Sequence, residues 1–289
     1  MEWSSGINQA LNYIENHLKE EITIADIAQA VFISPYYFQK GFSMLCGFSV
    51  SEYIKMRRLT LAASELILTN KRIIDIALEY GYDSPDSFTK AFVRFHGATP
   101  SAIRHKEAVA KSFSPLTIKL VLTGGNILDY KIVEKAPFTV VGISKNFSYN
   151  SADIETPQFW AEFNGSNQKN LIQSMYGISI DQNRSGNTFQ YMIADNYNPL
   201  IEVPKGFETI TIPQFTWAIF PCKGAVGNTN LFQEINKRVF SEWLPQNPNY
   251  EIAAGYHIEF YDDPSRYSQG INDENYYSEI WIPIQKKEG

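Results

Sequence analysis

Cysteine is nearly absent from this chain, which excludes a scaffold built on disulfides. Only Cys46 and Cys222 occur in 289 residues, far apart and without metal-type spacing. Buried thiols in a reducing compartment are the expectation. Histidine is also scarce: there are four, and one of them, His257, lies in the C-terminal half. No two histidines are spaced as metal ligands. No glycine-rich phosphate loop and no nucleophile–base pair stands out, so no cofactor and no metal are expected. No apolar run is long enough to cross a bilayer, and the start lacks a signal-peptide pattern. The expected setting is therefore cytoplasmic, without a membrane partner. A basic excess is missing too. The net charge of −6, taken whole, argues against a nucleic-acid binder.

What is present is repetition. IIDIALEYGYDSPDSFTKAFVRFHGATPSAIR, from Ile73, reads as a short helix, a tight turn and a second helix. Ile73, Ile76, Ala77 and Tyr80 recur at helical spacing. Gly81 stops the first helix, since the left-handed cap position suits a residue without a Cβ. Ser84-Pro85 starts the second: a hydroxyl to cap free N–H groups, then a ring already at helical φ. Phe88, Ala91, Phe92 and Phe95 share one face, leaving Ser87, Thr89, Lys90 and Arg94 on the others. Earlier in the chain Ile24, Asp26, Ile27 and Ala28 match Ile73, Asp75, Ile76 and Ala77. Ser34, Pro35, Phe38, Lys40 and Phe42 likewise match Ser84, Pro85, Phe88, Lys90 and Phe92. The offset is 49 residues before the turn and 50 after it, so one residue is gained in the turn. A repeated helix pair with a polar, basic second helix is the form of a DNA-reading helix-turn-helix.

The charge divides accordingly. Residues 1–111 hold 12 basic and 12 acidic residues, and 112–289 hold 13 and 19, so the acidity belongs to the second half. From Pro35 to Lys111 the balance is +4, with 11 basic residues against 7 acidic. Other helices frame the pair. Ile7, Leu11, Ile14 and Leu18 make an amphipathic stripe over 5–19. Thr23 caps a helix over 24–31. Ser49 or Ser51 opens a longer one to about Leu68, with Ile54, Leu61 and Leu66 as candidate inward residues and Arg57 and Arg58 along it. Such a spacer can hold two reading helices about one DNA turn apart, roughly 34 Å. Thr99-Pro100 caps a last helix ending near Glu107.

Residues 5–107 resemble the DNA-binding domain of the AraC-type transcription regulators, which implies seven helices and two helix-turn-helix units. The resemblance implies double-stranded DNA and RNA polymerase as partners. It places Tyr36, Gln39 and Lys40 of the first reading helix, and Asp86, Ser87 and Lys90 of the second, at base edges or phosphates, with Arg94 near the backbone. Tyr36 and Asp86 depart in residue type at positions that set sequence preference, so the operator is not inherited. By their own chemistry Gln39 suits adenine, and Lys40 suits guanine or phosphate.

After SFSPL and the strand-like TIKLVLT, broken by Gly124-Gly125, the helical period gives way to strands. DYKIVEKAPFTVVGISKNFS reads as two strands turning at Ala136-Pro137. A helix over about 157–172 carries Phe159, Trp160 and Phe163. Strands at 175–180 and 188–195 follow, separated by DQNRSGN. FETITI, FTWAIFPC, a helix over about 228–244 and strands at 256–262 and 277–284 repeat the order. The fold expected is an all-α domain with two helix-turn-helix units (1–110), a linker (111–127) and an α+β domain of two strand-strand-helix-strand-strand repeats (128–289). Two such units can pair their sheets and leave a cleft for a small ligand.

In this second half, acid is embedded in aromatic strand. GYHIEFY puts His257, Glu259 and Tyr261 on one face, and YYSEIWIPI puts Tyr277, Glu279 and Trp281 together. Carboxylates among aromatic rings suit a lipophilic cation. A solvent-facing position or a structural ion pair is the plainer reading, most of all for Glu279. Residues 128–284 resemble the gyrase-inhibitor-like effector-binding domain through YKIVEKAPFTVVGIS, the Trp160 helix, SEWLP, IEFY and EIWIPI. That resemblance implies a cavity with an acid at its base. Glu259 is the first choice for the acid, with Trp160, Phe163, Tyr176, Tyr191, Trp217 and Tyr261 as lining and Glu279 as a second acid. The function expected is a ligand-responsive transcription regulator, not an enzyme, whose second domain binds a small amphipathic effector. Two alternatives are a hydrolase of reactive small molecules using a buried Glu259 as general base, and a sequestering module without a ligand.

Overall fold

The computed structural model describes residues 3–117, 127–181, 188–226 and 230–287. The strand expected at TIKLVLT, Gly124-Gly125 and the turn DQNRSGN after Asp181 lie outside the described residues.

Seven helices come first: α1 Trp3–Asn16, α2 Ile24–Ala30, α3 Pro35–Cys46, α4 Val50–Leu68, α5 Ile73–Glu79, α6 Pro85–His96 and α7 Pro100–Arg104. Their starts are set by side chains. Thr23, Ser34, Ser49, Ser84 and Thr99 each accept a backbone N–H of the following turn. Thr23 with Asp26, and Ser49 with Glu52, complete reciprocal capping boxes. Each helix-turn-helix turns through a left-handed residue. In the second unit this is Gly81, φ 76°. Its counterpart in the first unit is Phe32, φ 57°, with the ring 86% exposed.

The inward side of α4 is Tyr53, Arg57, Leu59, Ala62, Ala63 and Leu66. Ile54 and Leu61 are half-buried, so the inward stripe sits one step round from the expected one. Arg57 is buried because Glu15 pairs with it at 2.8 Å and the Phe113 carbonyl accepts its second terminal nitrogen. The segment after α7 is pinned to α4 by Phe113 N–H to Thr60 Oγ1 and Leu116 N–H to the Tyr53 hydroxyl.

The two units have separate cores. Leu59, Ala62, Ile76, Phe88, Phe92 and Ile103 fill the second. The first unit's Ile14, Ile27, Phe38, Phe42 and Tyr53 run without a break into the apolar face of the C-terminal domain.

That domain follows the expected order twice. The first half is β1 Lys131–Lys135, β2 Phe138–Ser148, α8 Ala152–Asn164, β3 Tyr176–Ile180 and β4 Thr188–Asn196. The second is β5 Glu208–Ile212, β6 Phe215–Lys223, α9 Leu231–Arg238, β8 Tyr256–Tyr261 and β9 Tyr277–Lys286, with a short β7 at Tyr250–Ile252. The helix of the second half continues through a π turn, Val239–Trp243, into α10, Leu244–Gln246. The nine strands among the described residues form one antiparallel sheet, β1-β6-β9-β8-β3-β4-β2-β5, with β7 on β9. The halves therefore join edge to edge through β3 and β8.

Two expectations need correction. Residues 131–148 are two strands but not a hairpin. β1 pairs with β6 and β2 with β4 and β5, so each half lends its first strand to the other. The helix α8 begins at Ala152 and ends at Asn164, with Pro157 inside it. Proline fits the first turn of a helix best, so it reads as a start when it stands a turn later.

Candidate functional site

The sequence-predicted DNA residues divide sharply. On α6, Asp86, Ser87, Lys90 and Arg94 are exposed while Phe88 and Phe92 anchor the helix in its core. On α3 the same face meets the C-terminal domain. Tyr36 and Gln39 are 6% and 5% exposed, and Lys40 is half-buried. Tyr36 donates its hydroxyl to Ser179 Oγ at 2.9 Å, and its ring lies 4.9 Å from that of Phe189. Lys40 donates to the Tyr36 hydroxyl at 3.1 Å and faces His257 Nδ1 at 3.4 Å.

In the second domain the sheet separates the lining candidates by face, because side chains alternate along each strand. One face carries Glu259, Tyr261 and Tyr191, with α8 and α9 above it. The Tyr191 and Tyr261 hydroxyls donate to Glu259 Oε2 at 3.3 and 3.1 Å. Trp160 of α8 donates its indole N–H to the Tyr191 hydroxyl at 2.8 Å. Tyr261 stands edge-on to Trp160, 5.4 Å between centroids, and as close to Phe232 of α9. Phe163 packs at right angles to Trp160. Gly177 makes room for this arrangement: a Cβ there would lie 2.2 Å from the Tyr191 hydroxyl oxygen and 3.3 Å from Glu259 Oε2. Burial first, and the Glu259 carboxylate after it, push both phenols well above their ordinary range, so they stay protonated donors. Among the described residues no lysine or arginine ion-pairs with Glu259.

The opposite face holds Tyr176, Trp217 and Glu279, together with Trp281, Phe138 and Phe260. Glu279 is closed off by its own protein. Lys131 pairs with it at 2.8 Å, and Tyr277 and Trp281 donate to it at 2.5 Å each. Burial works to raise its pKa, but these three donors outweigh it and hold the carboxyl below the usual range. Lys135 covers the Trp281 ring at 4.3 Å. The eight effector candidates thus make two clusters on opposite faces: Glu259 with four around it, and three behind the sheet with an ion pair already formed.

Three residues at these sites were not singled out from the sequence, and a fourth was named without a role. Phe232 closes the Glu259 cluster from α9. Ser179 and Asp181 of β3 and its end bind α3, and His257, noted only for its strand face, does so from β8. The period-2 face of β3, Gly177 with Ser179, holds small residues and reads as unremarkable. Its meaning comes from what lies across it. A depression of about 210 Å³ lies elsewhere, between the two helix-turn-helix units beside Arg58 and Tyr80. It is remote from both carboxylates. Among the described residues no group of three His, Cys, Asp or Glu side chains could hold a metal, and no helix is long and apolar enough to cross a membrane.

Comparison with known proteins agrees with this division. A family model described as integron-associated effector binding protein matches residues 131–284, and a helix-turn-helix domain model matches 27–106. An uncharacterized HTH-type transcriptional regulator of Bacillus subtilis, YbfP, is 38% identical over 104 residues, 36% of this chain and 35% of that protein. The right origin-binding protein of Escherichia coli is 28% identical over 187 residues, 62% of this chain and 63% of its own length. The chain thus spans about a third of one relative and less than two thirds of the other. Among solved structures, SAV2435 bound to tetraphenylphosphonium aligns at 21% identity over 55% of this chain and 94% of that one, with a TM-score of 0.47. Through its C-terminal half the chain belongs to the integron-associated effector-binding family, and it carries an AraC-type helix-turn-helix domain in front of that half.

Proposed function

We propose that this chain is a DNA-binding transcription regulator, acting with RNA polymerase, whose second domain takes a lipophilic cation at Glu259. The observation that carries the reading is the state of that carboxylate. Glu259 is hydrogen-bonded by two phenols and walled by Trp160, Tyr261 and Phe232, but it has no ammonium or guanidinium partner among the described residues. A cation entering between α8 and β8 would gain charge pairing, π faces and apolar area together. Glu279 offers a poorer place, because a ligand there must first displace Lys131. The exposed Lys90 and Arg94 of α6 supply the phosphate and base contacts of the DNA-reading part.

Tetraphenylphosphonium is the probe, titrated against the full chain while tryptophan fluorescence is followed. Saturable binding is expected, weakened tenfold or more, roughly, in Glu259→Gln, since a hydrogen bond or contact to a charged group is of that order. A neutral compound of the same shape should bind far less. Equal affinity in Glu259→Gln would remove Glu259 from the site.

A further inference from the structure

The face of α3 that would enter DNA is held by the effector-binding domain. The contacts are specific rather than a loose apolar apposition. Asp181, 4% exposed, sits at the N-terminus of α3 and accepts the Tyr36 backbone N–H at 3.0 Å. A carboxylate there satisfies a free helix donor and meets the positive end of the helix dipole. Tyr149 steadies the same carboxylate at 2.9 Å. The Tyr37 hydroxyl donates to the Tyr256 carbonyl, the Tyr36 hydroxyl to Ser179, and Lys40 faces His257. Each of these partners lies on or beside β3 and β8.

One group on α3 is badly served by this position. The Gln39 amide nitrogen donates to Ser43 Oγ at 3.1 Å, but its carbonyl oxygen is buried with no hydrogen-bond partner among the described residues. A buried acceptor left unmatched is unfavourable. The same amide is well suited to pairing with an adenine edge. The docked arrangement is thus closed but not optimal for the residue type that reads a base.

The lock also borders the effector cup. Ser179, which holds Tyr36, is paired across the sheet with Tyr191 on one side and His257 on the other. Tyr191 in turn donates to Glu259, and β8 carries His257 and Glu259 on one face. A ligand that parts the Tyr191 hydroxyl from Glu259 acts on a residue paired directly with Ser179, on the strand that grips α3.

We infer that the second domain is a reversible cap on the first reading helix. Docked, the chain offers DNA one reading helix, α6. Released, it offers two, and a cation at Glu259 favours release. This rests on the DNA-reading and effector-binding roles proposed above.

The test uses the full chain and a pool of random duplexes long enough for two major-groove segments. Asp181→Asn and Ser179→Ala weaken the grip without altering α3. Amide hydrogen exchange over 35–46 reports release, and a thermal melt confirms folding of each variant. We expect faster exchange in both variants and about tenfold tighter duplex binding in Asp181→Asn. The salt dependence should steepen by about one phosphate contact as Lys40 becomes free. Tetraphenylphosphonium should drive the wild-type chain the same way and leave Asp181→Asn unchanged.

Faster exchange with unaltered affinity and salt slope would overturn the cap, as would unaltered exchange in both variants. Lys90→Ala separates the two levels of the argument. If it weakens binding while Asp181→Asn does nothing, the cap falls and DNA reading stands. If neither matters, DNA reading itself falls. Release by Asp181→Asn with no response to the cation would overturn the coupling to Glu259.

Discussion

The helices α3 and α6 carry the same serine cap, the same proline, the same lysine and the same aromatic pair, yet α6 turns its polar face to water and α3 turns it to a sheet. The core side of both is alike: Phe38 and Phe42 are fully buried, as are Phe88 and Phe92. The difference that decides their partners is on the outward side. There Tyr36 and Tyr37 stand where α6 has Asp86 and Ser87. Two phenols next to each other can pack against a second domain and still satisfy their hydroxyls. An aspartate and a serine cannot. The comparison teaches that a repeated motif conserves its anchor and can assign its exposed face to a different partner in each copy.

The largest effect expected is one that should treat the copies alike. Phe42→Ala and Phe92→Ala should each destabilise their unit by about 3–5 kcal/mol, as fully buried phenylalanines do. Denaturant unfolding followed unit by unit checks this. A much smaller loss for Phe42 would mean that the docked domain, and not the helix-turn-helix core, holds α3.

A second measurement should treat them differently. Burial first, and the Lys40 ammonium after it, hold the His257 pKa well below its ordinary value of 6.5. Around the ring stand Lys40, Tyr36 and Tyr37 from α3, Asn236 from α9 and Ser179 from β3. The docked ring is neutral, donating from Nε2 to Asn236 and accepting at Nδ1. Once released it takes up a proton below about pH 6.5, so docking is fully present above that pH and weakens as pH falls through it. Corrected for the pH dependence of intrinsic exchange, the protection of α3 amides should fall between about pH 7.5 and 5.5, while α6 keeps its own.

Smaller effects sharpen the comparison from the other unit. Lys19 and Lys71 both bridge from Glu65 to Glu79, and Tyr80 donates to Glu65. Burial opposes ionisation of Glu65, but its donors, Lys19 first, prevail and set its pKa at about 2. This tie is complete above the ordinary value near 4.5 and is lost as pH falls from there toward 2. Glu65→Gln should cost about 1 kcal/mol at neutral pH and flatten the acid limb of a melting-temperature profile. Least of all, Phe32→Gly should stabilise the first turn by about 0.5–1 kcal/mol, because a left-handed φ is unstrained only for glycine. Gly81→Ala should cost a similar amount, with the Arg58 side chain moving aside.

Much of this was legible in the sequence, for local reasons. Thr23, Ser34, Ser84 and Thr99 announce helix starts because capping is decided within three residues. Strand alternation placed His257, Glu259 and Tyr261 on one face. Long-range pairing was not legible. Nothing in YKIVEKAPFTVVG says that Lys131–Lys135 will leave Phe138–Ser148 and join β6. Likewise Tyr176 and Tyr191 look equivalent as strand aromatics, and only register puts them on opposite sides of the sheet. The burial of Tyr36 and Gln39 was hidden for the same reason. Amphipathic spacing marks which residues can face outward but not what they will meet there.

The exchange of first strands between the halves has a consequence for biogenesis. Lys131 finds its partner at Ile219, and Phe138 finds its own at Ile212, so neither half can complete its sheet while the other is missing. On the ribosome the effector domain must wait for nearly its whole length, whereas the helical units close over contacts close in sequence. A backbone nick between Asn196 and Phe207 should accordingly yield two pieces that mature only when mixed. The reading units therefore emerge ready before the domain that meets α3 exists.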